Sequence, residues 1–126
     1  MTKILFIGGT GTISAACSRL AVKRGYQLFL LNRGKTSRPV PEAVTQLTGD
    51  IRDRAAYKAA LGDHNFDVAV QWIGFTPEHV EQDIEMLRNR VGQYIFISSA
   101  SAYKTPPTSL PITESTLLDN PVWQYS

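Results

Sequence analysis

Cysteine is nearly absent. The chain of 126 residues holds one, Cys17. A single thiol excludes an internal disulfide and fits a reducing compartment. Cys17 shares a helical face with Ile13 and Leu20, which predicts a packed core thiol rather than a reactive one. Histidine is also scarce. His64 and His79 make no metal-ligand spacing with each other or with Cys17, so no metal site is expected and both read as solvated surface residues. No apolar run approaches the ~20 residues a membrane span needs. A strand begins almost at Met1 and leaves no room for a signal peptide, so the expected location is cytoplasmic. Charge of one sign is missing too: 13 Lys and Arg face 11 Asp and Glu, a net +2. With no basic stripe carrying interleaved aromatics, composition argues against nucleic acid as the partner.

Hydrophobic residues make up 43% and charged residues 19%, the balance of a soluble globular protein. The length suits one domain. The most informative segment is Gly8-Gly9-Thr10-Gly11-Thr12-Ile13-Ser14. It follows the apolar run Ile4-Leu5-Phe6-Ile7 and leads into a helical stretch. A buried strand, a glycine turn and a helix N-terminus form a phosphate cradle. Glycine permits a tight turn and close backbone approach, and the helix end offers unpaired N–H donors with partial positive charge. Two spacings fit, Gly9-x-Gly11-x-x-Ser14 and Gly8-x-x-Gly11-x-x-Ser14. In both, a small serine stands where close helix–strand packing usually takes glycine. The alternative is a glycine turn in an ordinary βα unit.

Strand and helix patterns alternate along the chain. Strands are expected at 3–7, 27–31, 43–47, 67–72 and 94–98. A helix over 12–24 stops at Gly25, and an alanine-rich helix over 53–61 stops at Gly62. A third helix has Thr76 as N-cap, Pro77 in its first turn, and Glu78 and Glu81 to complement the dipole. Val80, Ile84, Leu87 and Val91 recur in it at helical spacing, and Gly92 closes it. The last strand is nearly all apolar, as in a parallel sheet buried on both faces. This order predicts an α/β fold: a Rossmann-type, doubly wound parallel sheet with helices on both faces, in three layers. Residues 34–42 and 100–126 read as irregular. Asn120-Pro121 marks another helix start that the chain leaves after about one and a half turns. Either the C-terminus frays there, or residues 1–126 are the N-terminal, nucleotide-binding part of a longer protein.

A dinucleotide reader often carries an acid about 20 residues past the glycine turn to hold the ribose 2′-hydroxyl. Here the second strand ends Leu31-Asn32-Arg33-Gly34-Lys35, without a carboxylate. Arg33, with Lys35 or Arg38, suits a 2′-phosphate, which favours NADP over NAD; a solvated basic loop is the alternative. In Gly49-Asp50-Ile51, Asp50 is placed to accept from the adenine amino group, or else to cap the next helix.

Taken together, the chain resembles the short-chain dehydrogenase/reductase superfamily, in particular its extended NAD-dependent epimerase/dehydratase group. The residues that carry the likeness are the glycine turn, Asn32-Arg33-Gly34, Gly49-Asp50-Ile51 and Ile97-Ser98-Ser99-Ala100-Ser101-Ala102-Tyr103. The stretch from Gly92 to Tyr103, with Phe75-Thr76-Pro77-Glu78, is similar to a branch that includes chloroplast stem-loop-binding proteins. Gln71-Trp72 departs from the Asp-Phe pair of that branch. The resemblance implies cofactor contacts from Gly8, Thr10, Gly11, Thr12, Ile13, Asn32, Arg33, Lys35, Asp50, Ile51, Ile73, Gly74, Phe75 and Ser98. It implies a catalytic Ser99 and Tyr125, with a lysine partner falling beyond Ser126; Tyr103 is the competing tyrosine. The implied activity is hydride transfer by an epimerase, dehydratase or reductase on a small-molecule substrate, a nucleotide sugar or a related alcohol or carbonyl compound. This chain by itself is expected to lack turnover, and uncovered apolar surface would favour a homodimer. The alternatives are RNA binding, as in the stem-loop-binding relatives, and a non-catalytic NADP-sensing module.

Overall fold

Each strand alternates apolar side chains to two opposite faces, so a sheet made from them must be covered on both sides. The computed structural model describes residues 2–8, 11–33, 43–74 and 76–97. Their elements are β1 (Lys3–Ile7), α1 (Thr12–Lys23), β2 (Gln27–Asn32), β3 (Thr45–Thr48), α2 (Arg54–Leu61), β4 (Phe66–Gln71), α3 (Pro77–Leu87) and β5 (Val91–Phe96). The chain divides into two compact units, Met1–Phe96 and Ile97–Ser126. The elements all belong to the first.

The five strands lie in the order β3-β2-β1-β4-β5. Every pairing is parallel, with Ile7 opposite Leu31 on one side and Gln71 on the other. From β1 the chain steps outward through β2 to β3, then crosses back to β4 on the other side. That reversal separates the loops leaving β1 and β4, and an open parallel sheet binds ligands at such a point, beyond its strand C-termini.

Two apolar layers sandwich the sheet. Leu5, Ile7, Phe29 and Leu31 pack with Tyr57 and Leu61 of α2 and Leu87 of α3. Phe6, Leu28, Leu30 and Val70 face the other way, onto Ala21 and Cys17 of α1. Each fully buried Leu, Ile or Phe contributes about 1.5–3 kcal/mol relative to exposure. The three-layer α/β reading of the sequence therefore holds.

Several local expectations are corrected. The buried residues of α1 are Ser14, Ser18 and Ala21, with Cys17 half-buried, whereas Ile13 is 70% exposed. Small side chains let this helix lie close on the sheet, and Ile13 and Leu20 turn outward. In α3 the buried positions are Asp83 and Leu87, while Ile84 is 53% exposed. This helix also ends earlier than its apolar spacing suggests. Asn89 takes a left-handed backbone (φ 65°) and Arg90 N–H donates to the Leu87 carbonyl, so Val91 and Gly92 begin β5. Ile95 and Phe96 remain exposed on β5, which pairs only with β4 among the described residues. Strand β3 starts two residues later than expected, at Thr45, and β4 one residue earlier, at Phe66.

Candidate functional site

Gly8 leaves β1 with φ +99°, a conformation that L side chains rarely adopt. Its N–H donates to the Leu31 carbonyl at 2.9 Å, so the turn begins while still tied to β2. Space enforces glycine as well: a Cβ there would lie 2.9 Å from Ile73 Cγ2 and 3.2 Å from Trp72 Cβ. Gly11 is the N-cap of α1 with extended backbone, and its N–H donates to Ser14 Oγ at 2.9 Å. Ser14 is buried and thus does more than pack where a glycine is usual: it closes the turn. This also changes which donors remain. The Gly11 N–H is already used. The amides of Thr12, Ile13 and Ser14, in the first turn of α1, find no acceptor among the described residues and point along the helix axis toward its positive end.

The neighbouring strand ends are stitched to this turn by backbone hydrogen bonds. Trp72 N–H donates to Ile7 O at 3.0 Å, and Gly49 N–H to Asn32 O at 2.8 Å. The C-terminal ends of β1, β2, β3 and β4 therefore stand side by side. They bring together Gly8, Gly11 and Ile13 from the first loop, half-buried Asn32 and exposed Arg33 from the second, Asp50 and buried Ile51 from the third, and Ile73 and Gly74 from the fourth. Asp50 does not cap α2. Its Oδ1 accepts from Arg52 N–H at 2.9 Å, while Asp53 caps the helix through Ala55 N–H and Ala56 N–H at 3.1 and 3.3 Å. Of the residues named from sequence, Thr10, Lys35, Arg38, Phe75, Ser98, Ser99, Tyr103 and Tyr125 lie outside the described residues, as does the side chain of Thr12.

This geometry fits a dinucleotide. The tight turn at Gly8 leads to the helix end, which supplies amide donors, and the β2 end carries a cation and no acid. Among the described residues no group of His, Cys, Asp and Glu is arranged to hold a metal ion, and no helix is long and apolar enough to cross a membrane.

One cluster beneath the site escaped the sequence reading. Asp83 is fully buried on α3. Its carboxylate accepts from Tyr57 Oη of α2 at 2.7 Å, from Gln71 Nε2 of β4 at 2.7 Å, and from Tyr94 Oη of β5. Burial first, then the charge and hydrogen bond of Asp83, pushes the Tyr57 hydroxyl far above the ordinary tyrosine range. Tyr94 is shifted the same way, by burial and then by its bond to Asp83. The available signal was an acid between Val80 and Leu87, on the stripe where a core position falls. Of the histidines, His64 is exposed, as expected of a surface residue, and His79 is half-buried. His64 packs beside Phe29 and Phe66, with ring centroids 5.3 and 6.0 Å away. His79 Nδ1 accepts from Thr76 N–H at 3.3 Å, completing the cap that Thr76 Oγ1 begins at 3.4 Å. Glu78 in that first turn is held below the usual carboxylate range, chiefly by its own backbone N–H and then by the Thr76 hydroxyl.

Comparison with known proteins extends the geometry. The chain is 35% identical over 114 residues to the chloroplast stem-loop binding protein of 41 kDa b of Arabidopsis thaliana, covering 80% of this chain and 30% of that protein. It is 29% identical over 141 residues to a UDP-glucose 4-epimerase of Lactobacillus helveticus, covering 98% of this chain and 42% of that one. The chain thus spans less than half the length of each of these two curated relatives. Among solved structures, the UDP-glucose 4-epimerase of Bifidobacterium longum in complex with NAD+ and UDP superposes with a TM-score of 0.70 at 27% identity, over 94% of this chain and 43% of that one. Another UDP-glucose 4-epimerase shares the fold with a TM-score of 0.81 at 19% identity, over 95% of this chain and 42% of that one. A model of the NAD dependent epimerase/dehydratase family matches residues 4–126. With the strand order and the glycine turn in place, that match is decisive: the chain belongs to the NAD-dependent epimerase/dehydratase family.

Proposed function

We propose that this chain is the coenzyme-binding part of an enzyme that moves a hydride to and from a nucleotide sugar or a related small alcohol or carbonyl compound. The observation that carries the reading is the Gly8 turn, which feeds the open N-terminus of α1 at the reversal point of the sheet. In this reading the amides of Thr12, Ile13 and Ser14 hold the diphosphate. Asn32 and Arg33 face the adenosine ribose, Asp50 and Ile51 flank the adenine, and Ile73 and Gly74 line the path toward the nicotinamide. Arg33 and the missing acid at the end of β2 support NADP over NAD, since a guanidinium pairs well with a phosphate. The bound nicotinamide supplies the hydride chemistry. Ser99 and Tyr125 are proposed as the substrate-facing pair, the tyrosine moving a proton at the reacting oxygen and the serine hydrogen-bonding that oxygen as charge develops.

The test is a calorimetric titration with NADPH and NADH. Binding with NADPH the tighter supports the reading. Equal affinities remove the NADP preference, and no heat with either on a folded sample removes the coenzyme reading. Sugar-nucleotide turnover by this chain alone is expected to be absent, and clear turnover contradicts its assignment as one part of a larger enzyme.

A second reading, binding of a stem-loop nucleic acid, is favoured by one surface. Arg54, Lys58, Arg88 and Arg90 line a cavity of about 480 Å³ between α2 and α3. Arg54 is already paired with Glu85, and Arg90 donates to the carbonyls of Gly62 and His64. Affinity for a stem-loop RNA that falls steeply with salt supports this reading, and no affinity at low salt removes it.

A further inference from the structure

A buried carboxylate is expensive, and a well-packed apolar residue in its place is often more stabilising. The three described partners of Asp83 are all neutral donors, drawn from α2, β4 and β5. Stability alone therefore gives a weak reason for an acid at this position. The reason becomes clear on following the hydrogen bonds outward from it.

Gln71 ends β4 and is fully buried. Its Nε2 donates to Asp83 Oδ2 at 2.7 Å, and its Oε1 accepts from Ile73 N–H at 2.9 Å. A carboxylate only accepts, so Asp83 sets which way this amide faces: nitrogen inward, oxygen toward the loop. An amide of this length is the side chain that offers one donor and one acceptor here. Glutamate would set two carboxylates against each other, and leucine would take one of three donors from Asp83 and leave the Ile73 N–H without its Gln71 acceptor. The loop is pressed onto the same side chain. A Cβ on Gly74 would lie 2.9 Å from Gln71 Cγ and 3.1 Å from its Cδ. On its far side, Ile73 Cγ2 occupies the space that a Cβ on Gly8 would need, at 2.9 Å. One continuous chain of contacts thus runs from Asp83 through Gln71 and Ile73 to the turn that leads into the phosphate cradle.

We propose that Gln71 and Asp83 are positioning residues for coenzyme binding: Asp83 orients the Gln71 amide, and Gln71 holds the Ile73 backbone so that the β4–α3 loop stays seated against Gly8. The inference rests on the coenzyme reading above. It adds that the shape of the cradle is set from a buried polar cluster rather than from the glycine turn alone.

The test compares Gln71→Leu, Asp83→Asn and the double exchange Gln71→Glu with Asp83→Asn. The double variant restores the pattern in reverse, because the asparagine amide donates to the new glutamate and the other glutamate oxygen accepts from Ile73 N–H. Three quantities are read on the full chain: hydrogen exchange of the Ile73 amide, NADPH affinity and melting temperature. Each single variant should speed Ile73 exchange and weaken NADPH binding about tenfold, the worth of one net hydrogen bond. Both quantities should recover in the double variant, to an extent that melting temperature does not track. If Gln71→Leu does not fold, Asp83→Asn carries the same comparison. Unchanged Ile73 exchange in a folded single variant, or faster exchange without the predicted loss of affinity, overturns the positioning role. A wild-type chain that binds no coenzyme overturns the coenzyme reading instead, and with it the link from this cluster to binding.

Discussion

A Cβ placed on Gly8 would meet Ile73 Cγ2 at 2.9 Å, so the turn after β1 and the loop after β4 are fitted to each other with no room for a methyl group. Two loops separated by more than sixty residues of sequence become one wall of one site. Gly8→Ala should therefore act twice, through left-handed backbone strain and through displacement of Ile73. The expected destabilisation is about 1–3 kcal/mol, read from urea midpoints, together with a loss of NADPH affinity. Wild-type stability and affinity in this variant would show that the two loops are not coupled.

Asp50 and Asp53 separate structural from binding work. Asp53 caps α2, so Asp53→Ala should lower stability by about 1 kcal/mol. Among the described residues the Asp50 carboxylate holds the local Arg52 N–H, and its proposed role is at the adenine. Asp50→Ala should leave the melting temperature nearly unchanged and weaken the coenzyme. The reverse pattern would exchange the two assignments.

Arg33 is the proposed reader of the 2′-phosphate. Arg33→Ala should weaken NADPH about tenfold and leave NADH unchanged, as expected for losing one charge-assisted contact. Equal losses for the two coenzymes would assign Arg33 to the shared diphosphate or to no contact.

Alkaline stability should report on the Asp83 cluster. Below about pH 10 folded and unfolded chains both carry neutral tyrosine. Above it the unfolded chain releases the Tyr57 proton while the folded chain keeps it, since Tyr57 is raised in the folded state. Stability therefore falls as pH rises, with a contribution from Tyr57 of about 1.4 kcal/mol per pH unit. Tyr57→Phe should be less stable at neutral pH and show a shallower alkaline slope. An unchanged slope would mean that Tyr57 ionises freely in the folded chain.

What was legible in the sequence is what local chemistry decides. The glycine turn, the Thr76-Pro77 start of α3 and the alternation of strand and helix each depend on neighbours a few residues away. The Asp83 cluster was not legible, because its partners lie 26, 12 and 11 residues distant and only the folded sheet brings them together. Apolar spacing also misled where small or polar residues took the inner face. Ile13 and Ile84 fitted a helical stripe, yet Ser14, Ser18 and Asp83 are the buried residues. The end of α3 was missed because it turns on the left-handed backbone of Asn89, which no apolar pattern records. Ser14 was read as a packing residue. Its bond to the Gly11 N–H takes that amide and shifts the proposed phosphate donors past it, to Thr12, Ile13 and Ser14.

That shift is open to direct observation. In amide-resolved nuclear magnetic resonance, NADPH added to the folded chain should move the N–H signals of Thr12, Ile13 and Ser14 more than that of Gly11, whose proton already serves Ser14 Oγ. Signals in this turn that stay fixed at saturating NADPH would contradict the claim that the N-terminus of α1 grips the coenzyme diphosphate.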